Sequence, residues 1–139
     1  VAEYVLGVDP DSQKHGVAYY KNGELIDLAS MTRLELIAEV EYFSKLNIVR
    51  LSIENVKANN FVYTRNQKQS KAAQSKVALS IGRCQQAQQE LENDLIALNI
   101  PYILTAPMNG NWAKNKAEFE RVTGWTKRSN EDTRSAAFF

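Results

Sequence analysis

One cysteine, one histidine and three prolines are all that this chain of 139 residues has of those residue types. The lone Cys84 excludes an intramolecular disulfide framework and any zinc cluster built from cysteines. It also favours a reducing, cytoplasmic setting. No apolar run approaches the ~20 residues that span a bilayer, and no signal-peptide pattern opens the sequence, so no membrane partner is expected. Internal repeats, linkers and low-complexity tracts are missing too. With 44% hydrophobic and 24% charged residues, the composition is that of a globular protein, and the length suits a single domain over residues 1–139.

A further absence is local. Between Glu54 and Glu90 there is no acidic residue, while Lys57, Arg65, Lys68, Lys71, Lys76 and Arg83 all fall there, in a chain whose net charge is only +1. The plain reading of such a run is a solvated helix face. The sharper one is a surface that tracks phosphates, with Gln67, Gln69, Ser70, Gln74 and Ser75 adding hydrogen bonds that carry no sequence information. Phe61 and Tyr63 sit at its start, where they suit base stacking as well as ordinary packing. The expected DNA contacts are Lys14, Lys57, Phe61, Arg65, Lys68, Lys71 and Lys76.

What the sequence does have is carboxylates in costly places. Asp9 in "VLGVDPDSQKHGVAYY" and Glu54 in "LSIENV" each interrupt an apolar run that reads as a buried strand. A carboxylate there is expensive unless a partner or a metal compensates it. A third acidic site, Glu131–Asp132 in "SNEDTRSAAFF", lies near the other end. Asp11 reads first as a turn residue, and Glu131 as a charge that favours a helix N-terminus. His15 reads as a surface residue, Cys84 as core or interface, and Gly82 as a point of close packing.

The periodicity predicts strands over residues 3–9, 16–20 and 25–30, with Lys21-Asn22-Gly23 turning between the second and third. Thr32, with Glu35 three residues on, predicts a capped helix to about Leu46. A fourth strand follows over Ile48–Val56, then a long polar helix from about Gln67 to Leu98 and a fifth strand over Tyr102–Thr105. Residues 112–123 form a short helix, and a last one opens at Asn130 and is expected to run beyond Phe139. A meander followed by helical crossovers is an α/β layout with a mixed sheet. In such sheets functional groups gather where adjacent strands end, which would bring Asp9 and Glu54 together.

The order of these residues resembles the RuvC-like Holliday junction resolvases of the RNase H-like superfamily, particularly the phage forms. The resemblance is carried by "GVDPxxxxxG", by the "IE" strand and by the acidic pair that opens a C-terminal helix, and it covers nearly the whole chain. It implies a five-stranded mixed sheet flanked by helices, a homodimer, and Mg²⁺- or Mn²⁺-dependent incision of branched DNA without a small-molecule cofactor. Asp9, Glu54 and Asp132 would be the metal ligands, with Glu131 beside them in the catalytic set. Two divalent ions would activate a water and stabilise the leaving oxygen. In one respect the chain departs from the pattern. The family usually ends its site with two ligands three residues apart; three after Asp132 stands Ser135 and three before it Ser129, and the small run Ala136-Ala137 favours the first register. DEDD-type insertion-sequence transposases share a similar acidic order, and a junction-binding protein weakened at Ser135 is the non-enzymatic alternative.

Overall fold

The computed structural model describes residues 2–58, 71–108 and 111–139. A five-stranded sheet runs in the order β3-β2-β1-β4-β5. Its strands are β1 (Glu3–Asp9), β2 (His15–Lys21), β3 (Glu24–Met31), β4 (Ile48–Glu54) and β5 (Tyr102–Thr105). The first three form an antiparallel meander, whereas β4 joins β1, and β5 joins β4, in parallel. The β2–β3 turn places Asn22 and Gly23 at φ of 50° and 85°, the positive-φ pair that a tight hairpin requires.

Among the described residues four α-helices flank the sheet: α1 (Arg33–Ser44), α2 (Lys71–Ala97), α3 (Lys116–Thr123) and α4 (Glu131–Phe138). The capping box expected from Thr32 and Glu35 is formed, with both reciprocal hydrogen bonds in place. Strand alternation then separates two cores. Tyr4, Leu6 and Val8 of β1 and Val49, Leu51 and Ile53 of β4 pack with Leu36 and Val40 of α1 and Leu91 and Leu95 of α2. On the opposite face Ala18 and Leu25 meet Phe119 of α3 and Ala136 and Ala137 of α4.

Three sequence expectations shift in detail. The fourth strand stops at Glu54, because Val56 starts a 3₁₀ turn (Val56–Ala58) whose Ala58 N–H returns to the Asn55 carbonyl. The helix expected over 112–123 divides at Asn115 into a 3₁₀ turn (Trp112–Lys114) and α3, since the Asn115 side chain accepts from Glu118 N–H and caps the second piece. Gly82 is not a point of close packing, because a Cβ there would meet nothing within 4 Å. Residues 67–70 of the predicted long helix lie outside the described residues.

Candidate active site

Asp9 ends β1 and Glu54 ends β4, and the two parallel strands pair in register up to Val8 and Ile53. Each acid therefore stands one step past the last registered pair. Alternation turns Leu6 and Val8, like Leu51 and Ile53, toward the core with α1 and α2. Gly7 and Asp9, with Ser52 and Glu54, fall on the face covered by α4. The two carboxyl groups are hydrogen-bonded to each other. Burial, then the charge and hydrogen bond of Glu54, push Asp9 up to about 8, with the Asp132 charge adding to this and a hydrogen bond from Ser135 opposing it. Glu54 is also raised, by burial, against the pull of its bond to Asp9. At neutral pH the pair holds a shared proton.

Two glycines bring α4 onto this face. A Cβ at Gly7 would overlap the carbonyl oxygen of Ala136, and one at Gly16 would overlap that of Asp132. Gly16 is paired with Asp9 across β1 and β2, so the first turn of α4 is seated directly beside the acid. Tyr20 Oη donates to Ala137 O at 2.7 Å and Ser52 Oγ to Phe139 O at 2.6 Å, tying the far end of the helix to β2 and β4. The buried Arg134 guanidinium donates to Ala113 O from Nε and Nη2 and to Ser129 Oγ from Nη1, which holds the approach to α4. Asp132 lies in the first turn, its carboxyl raised by burial and by the charges of Asp11 and Glu131. Glu131 is exposed. Ser135 is buried, and its hydroxyl lies close enough to Asp9 to lower that carboxyl's pKa.

Among the described residues no three His, Cys, Asp or Glu side chains close around one point as metal ligands would. Asp9 and Glu54 are in contact, while Asp132 acts on Asp9 through its charge. The donor set is made of hard carboxylate oxygens, which suit Mg²⁺ or Mn²⁺ better than zinc. Asp9 and Glu54, half-buried and in contact, need a proton or a cation between them, and their oxygens are the donors such an ion takes.

Asp11 is held in its turn: its Oδ1 accepts from Ser12 N–H at 2.6 Å and from Cys84 Sγ at 3.8 Å. A cavity of about 240 Å³ beside it is lined by Asp9, Pro10, Val56, Ile81 and Cys84 among others. Cys84 thus faces the acidic site, and burial followed by the charge of Asp11 pushes its thiol up. His15 is not at the surface. It is 2% exposed, and its Nδ1 accepts from Asp11 N–H at 3.3 Å, because the first residue of β2 folds under the loop it closes. Burial pushes its imidazole down, with Arg33 in the same direction and Asp11 against it.

The expected DNA contacts divide into three groups. Lys14, Lys71 and Lys76 are exposed, the last two on α2. Phe61, Arg65 and Lys68, with Tyr63, lie outside the described residues. Lys57 is exposed yet paired: its Nζ lies 2.7 Å from Glu92 Oε2 and 3.0 Å from Gln89 Oε1. Sequence reading missed the partners that hold it, Gln88, Gln89 and Glu92, and Gln85, which donates to Val56 O beside it. Their signal was present as polar residues at i, i+3, i+4 and i+7 of one helix.

No family model and no curated protein matches the sequence. Among solved structures the chain is similar to Thermus thermophilus RuvC in complex with Holliday junction substrate, with a TM-score of 0.51 and 13% identity over 98% of this chain and 89% of that one. It is similar also to a second Thermus thermophilus RuvC structure, with a TM-score of 0.50 and 13% identity over 97% and 90% of the respective chains. At such identity the likeness speaks for the fold: the five-stranded mixed sheet and its flanking helices are those of the RuvC-type, RNase H-like fold.

Proposed function

We propose that this chain is a structure-selective endodeoxyribonuclease that depends on Mg²⁺ or Mn²⁺ and acts on four-way (Holliday) and other branched DNA. The observation that carries the reading is the Asp9–Glu54 pair, in contact at the ends of adjacent parallel strands, with α4 bringing Asp132 alongside. The fold adds weight, since a protein of similar structure was solved with a Holliday junction substrate.

Asp9, Glu54 and Asp132 would hold the metal, which when bound supplies a Lewis acid that activates water and neutralises charge on the leaving oxygen. Before that, Asp9 and Glu54 must give up the proton they share. Glu131 adds negative charge at the mouth of the site. Lys14, Lys71 and Lys76 offer phosphate contacts that position DNA without reading its sequence. Symmetric incision of two strands requires two sites related by a two-fold axis, hence a homodimer. A role in DNA recombination or repair, as in a phage-infected bacterium, follows from that substrate. No described helix is long and apolar enough to cross a membrane.

Ser135 favours a second reading. It occupies the position where the family's last acid is expected, and it offers Asp9 a hydroxyl donor instead of another charge. A branched-DNA-binding protein with weak or no cleavage is what that change would leave.

The two readings separate in one experiment. Labelled four-way, Y-shaped and linear DNA are incubated with the protein in Mg²⁺ or Mn²⁺, beside Asp9→Asn. Nuclease function predicts cleavage of the branched substrates alone, lost in Asp9→Asn with junction binding retained. Binding of the junction with no cut in either ion supports the second reading. Equal cutting of linear DNA overturns selectivity for branches, and full activity of Asp9→Asn overturns the assigned site.

A further inference from the structure

The chain leaving β4 is gripped by one face of α2, and we infer that Lys57, Gln88 and Glu92 are positioning residues that fix Glu54 in the site. The inference rests on the nuclease reading for its consequence, though not for its geometry. Gln88 is wholly buried and Glu92 is 5% exposed. Gln88 Nε2 donates to Asn55 Oδ1 at 3.1 Å and to Glu92 Oε2 at 3.0 Å, while its Oε1 accepts from Lys57 N–H at 3.2 Å. Glu92 Oε1 accepts from Tyr102 Oη at 3.0 Å, and Glu92 Oε2 receives the Lys57 ammonium. Asn55 N–H donates to Thr105 O of the neighbouring β5 at 2.8 Å.

The residues that follow Glu54 are therefore held from α2 and β5 at once. A carboxylate at the last position of a strand can otherwise swing with the loop, and a metal or catalytic constellation tolerates displacements of only ~0.5 Å. The grip has a second effect. Lys71 and Lys76 belong to the same helix, so a phosphate bound along α2 is registered to the acidic pair. Glu92 is itself costly to bury, and its three donors offset that cost. Removing the Lys57 side chain leaves the carboxylate without its cation, and the loop with one tether fewer.

The alternative role for Lys57, a direct phosphate contact, gives a different result in the same assays. The whole chain, Lys57→Met, Lys57→Arg, Glu92→Gln and Tyr102→Phe are compared for turnover on saturating four-way DNA in Mn²⁺. Junction affinity in EDTA against salt, Mn²⁺ binding by calorimetry and thermal unfolding are measured alongside. Positioning predicts that Lys57→Met and Glu92→Gln lose ~10–100-fold in turnover and bind Mn²⁺ more weakly, as changes beside metal ligands do. Junction affinity and its salt slope stay within about two-fold, and Lys57→Arg retains most of the turnover. Should Lys57→Met unfold, Tyr102→Phe, which removes one uncharged donor to Glu92, carries the test with a several-fold loss in turnover. The inference is overturned if Lys57→Met keeps its turnover at saturation while junction affinity falls and the salt slope drops by about one, the mark of a lost phosphate contact. It is also overturned if Glu92→Gln and Tyr102→Phe turn over at the original rate. Failure of the unaltered chain to bind Mn²⁺ or cut any branched DNA overturns the nuclease reading, and this inference with it.

Discussion

Asp9 is protonated in the fold up to about pH 8, because burial and the neighbouring Glu54 disfavour its charged form. Unfolded, it ionises near pH 4. The folded state therefore binds the additional proton between those limits, and stability falls as pH rises from about 4 to about 8. The slope approaches about 1.4 kcal/mol per pH unit and vanishes where both states share one protonation. Urea unfolding in EDTA at pH 5 and pH 8 should show this loss. Asp9→Asn should flatten the difference and be the more stable protein at pH 8; equal stability of the unaltered protein at both pH values would contradict the buried pair. Mn²⁺ should flatten it as well by replacing the proton. Ser135→Asp is the complementary change. A further carboxylate beside Asp9 should lower the melting temperature in EDTA, and Mn²⁺ should recover it with cleavage raised several-fold. At this scale the sequence singled out Asp9 and Glu54, because an acid inside an apolar run is conspicuous, while Asp132 stood out only by its place in the order of acids. It misled for His15, which is buried, and gave no sign of the Glu92 carboxylate that pairs with Lys57 from far along the chain.

Helix α4 is short, and what seats it is the absence of side chains beneath it. Gly16→Ala places a methyl group against the Asp132 carbonyl, and the helix must lift to accommodate it. Overpacking of this kind costs ~1–3 kcal/mol. We expect a lower melting temperature and at least a ten-fold loss of cleavage, since Asp132 and Ser135 ride on the displaced turn. A melting temperature equal to that of the unaltered protein would contradict the close seating. Helix α2 answers to a different test. Reversing Lys71 and Lys76 together, with Lys68, should weaken junction binding and shallow its dependence on salt in gel-shift titrations; unchanged affinity would make that run a solvated face only. The capping box at Thr32 and the Asn22–Gly23 turn were legible because local chemistry alone enforces them. The break at Asn115 was not, because its side-chain cap competes with an otherwise continuous helical pattern.

The parallel pairing of β4 with β1 brings residues 45 positions apart into one site, and the β1–β2 pairing places α4 over it. A dimer adds a prediction for the whole molecule. If two such sites cut opposite strands, mixed dimers of unaltered and Asp9→Asn subunits should nick a junction in one strand rather than resolve it. Strand-specific labelling would show this, and symmetric cutting by every mixed dimer would contradict it.

The sequence by itself determined the strand and helix order and the mixed sheet, and it singled out the acids, because periodicity, caps and misplaced carboxylates are local signals. Tertiary structure alone decided that Asp9 and Glu54 come into contact, that Ser135 lies beside Asp9, and that Lys57 is ion-paired to Glu92 of α2. Those depend on the distance between residues remote in sequence. The pairing of β4 with β1 and the packing of α2 and α4 against the two faces of the sheet set that distance.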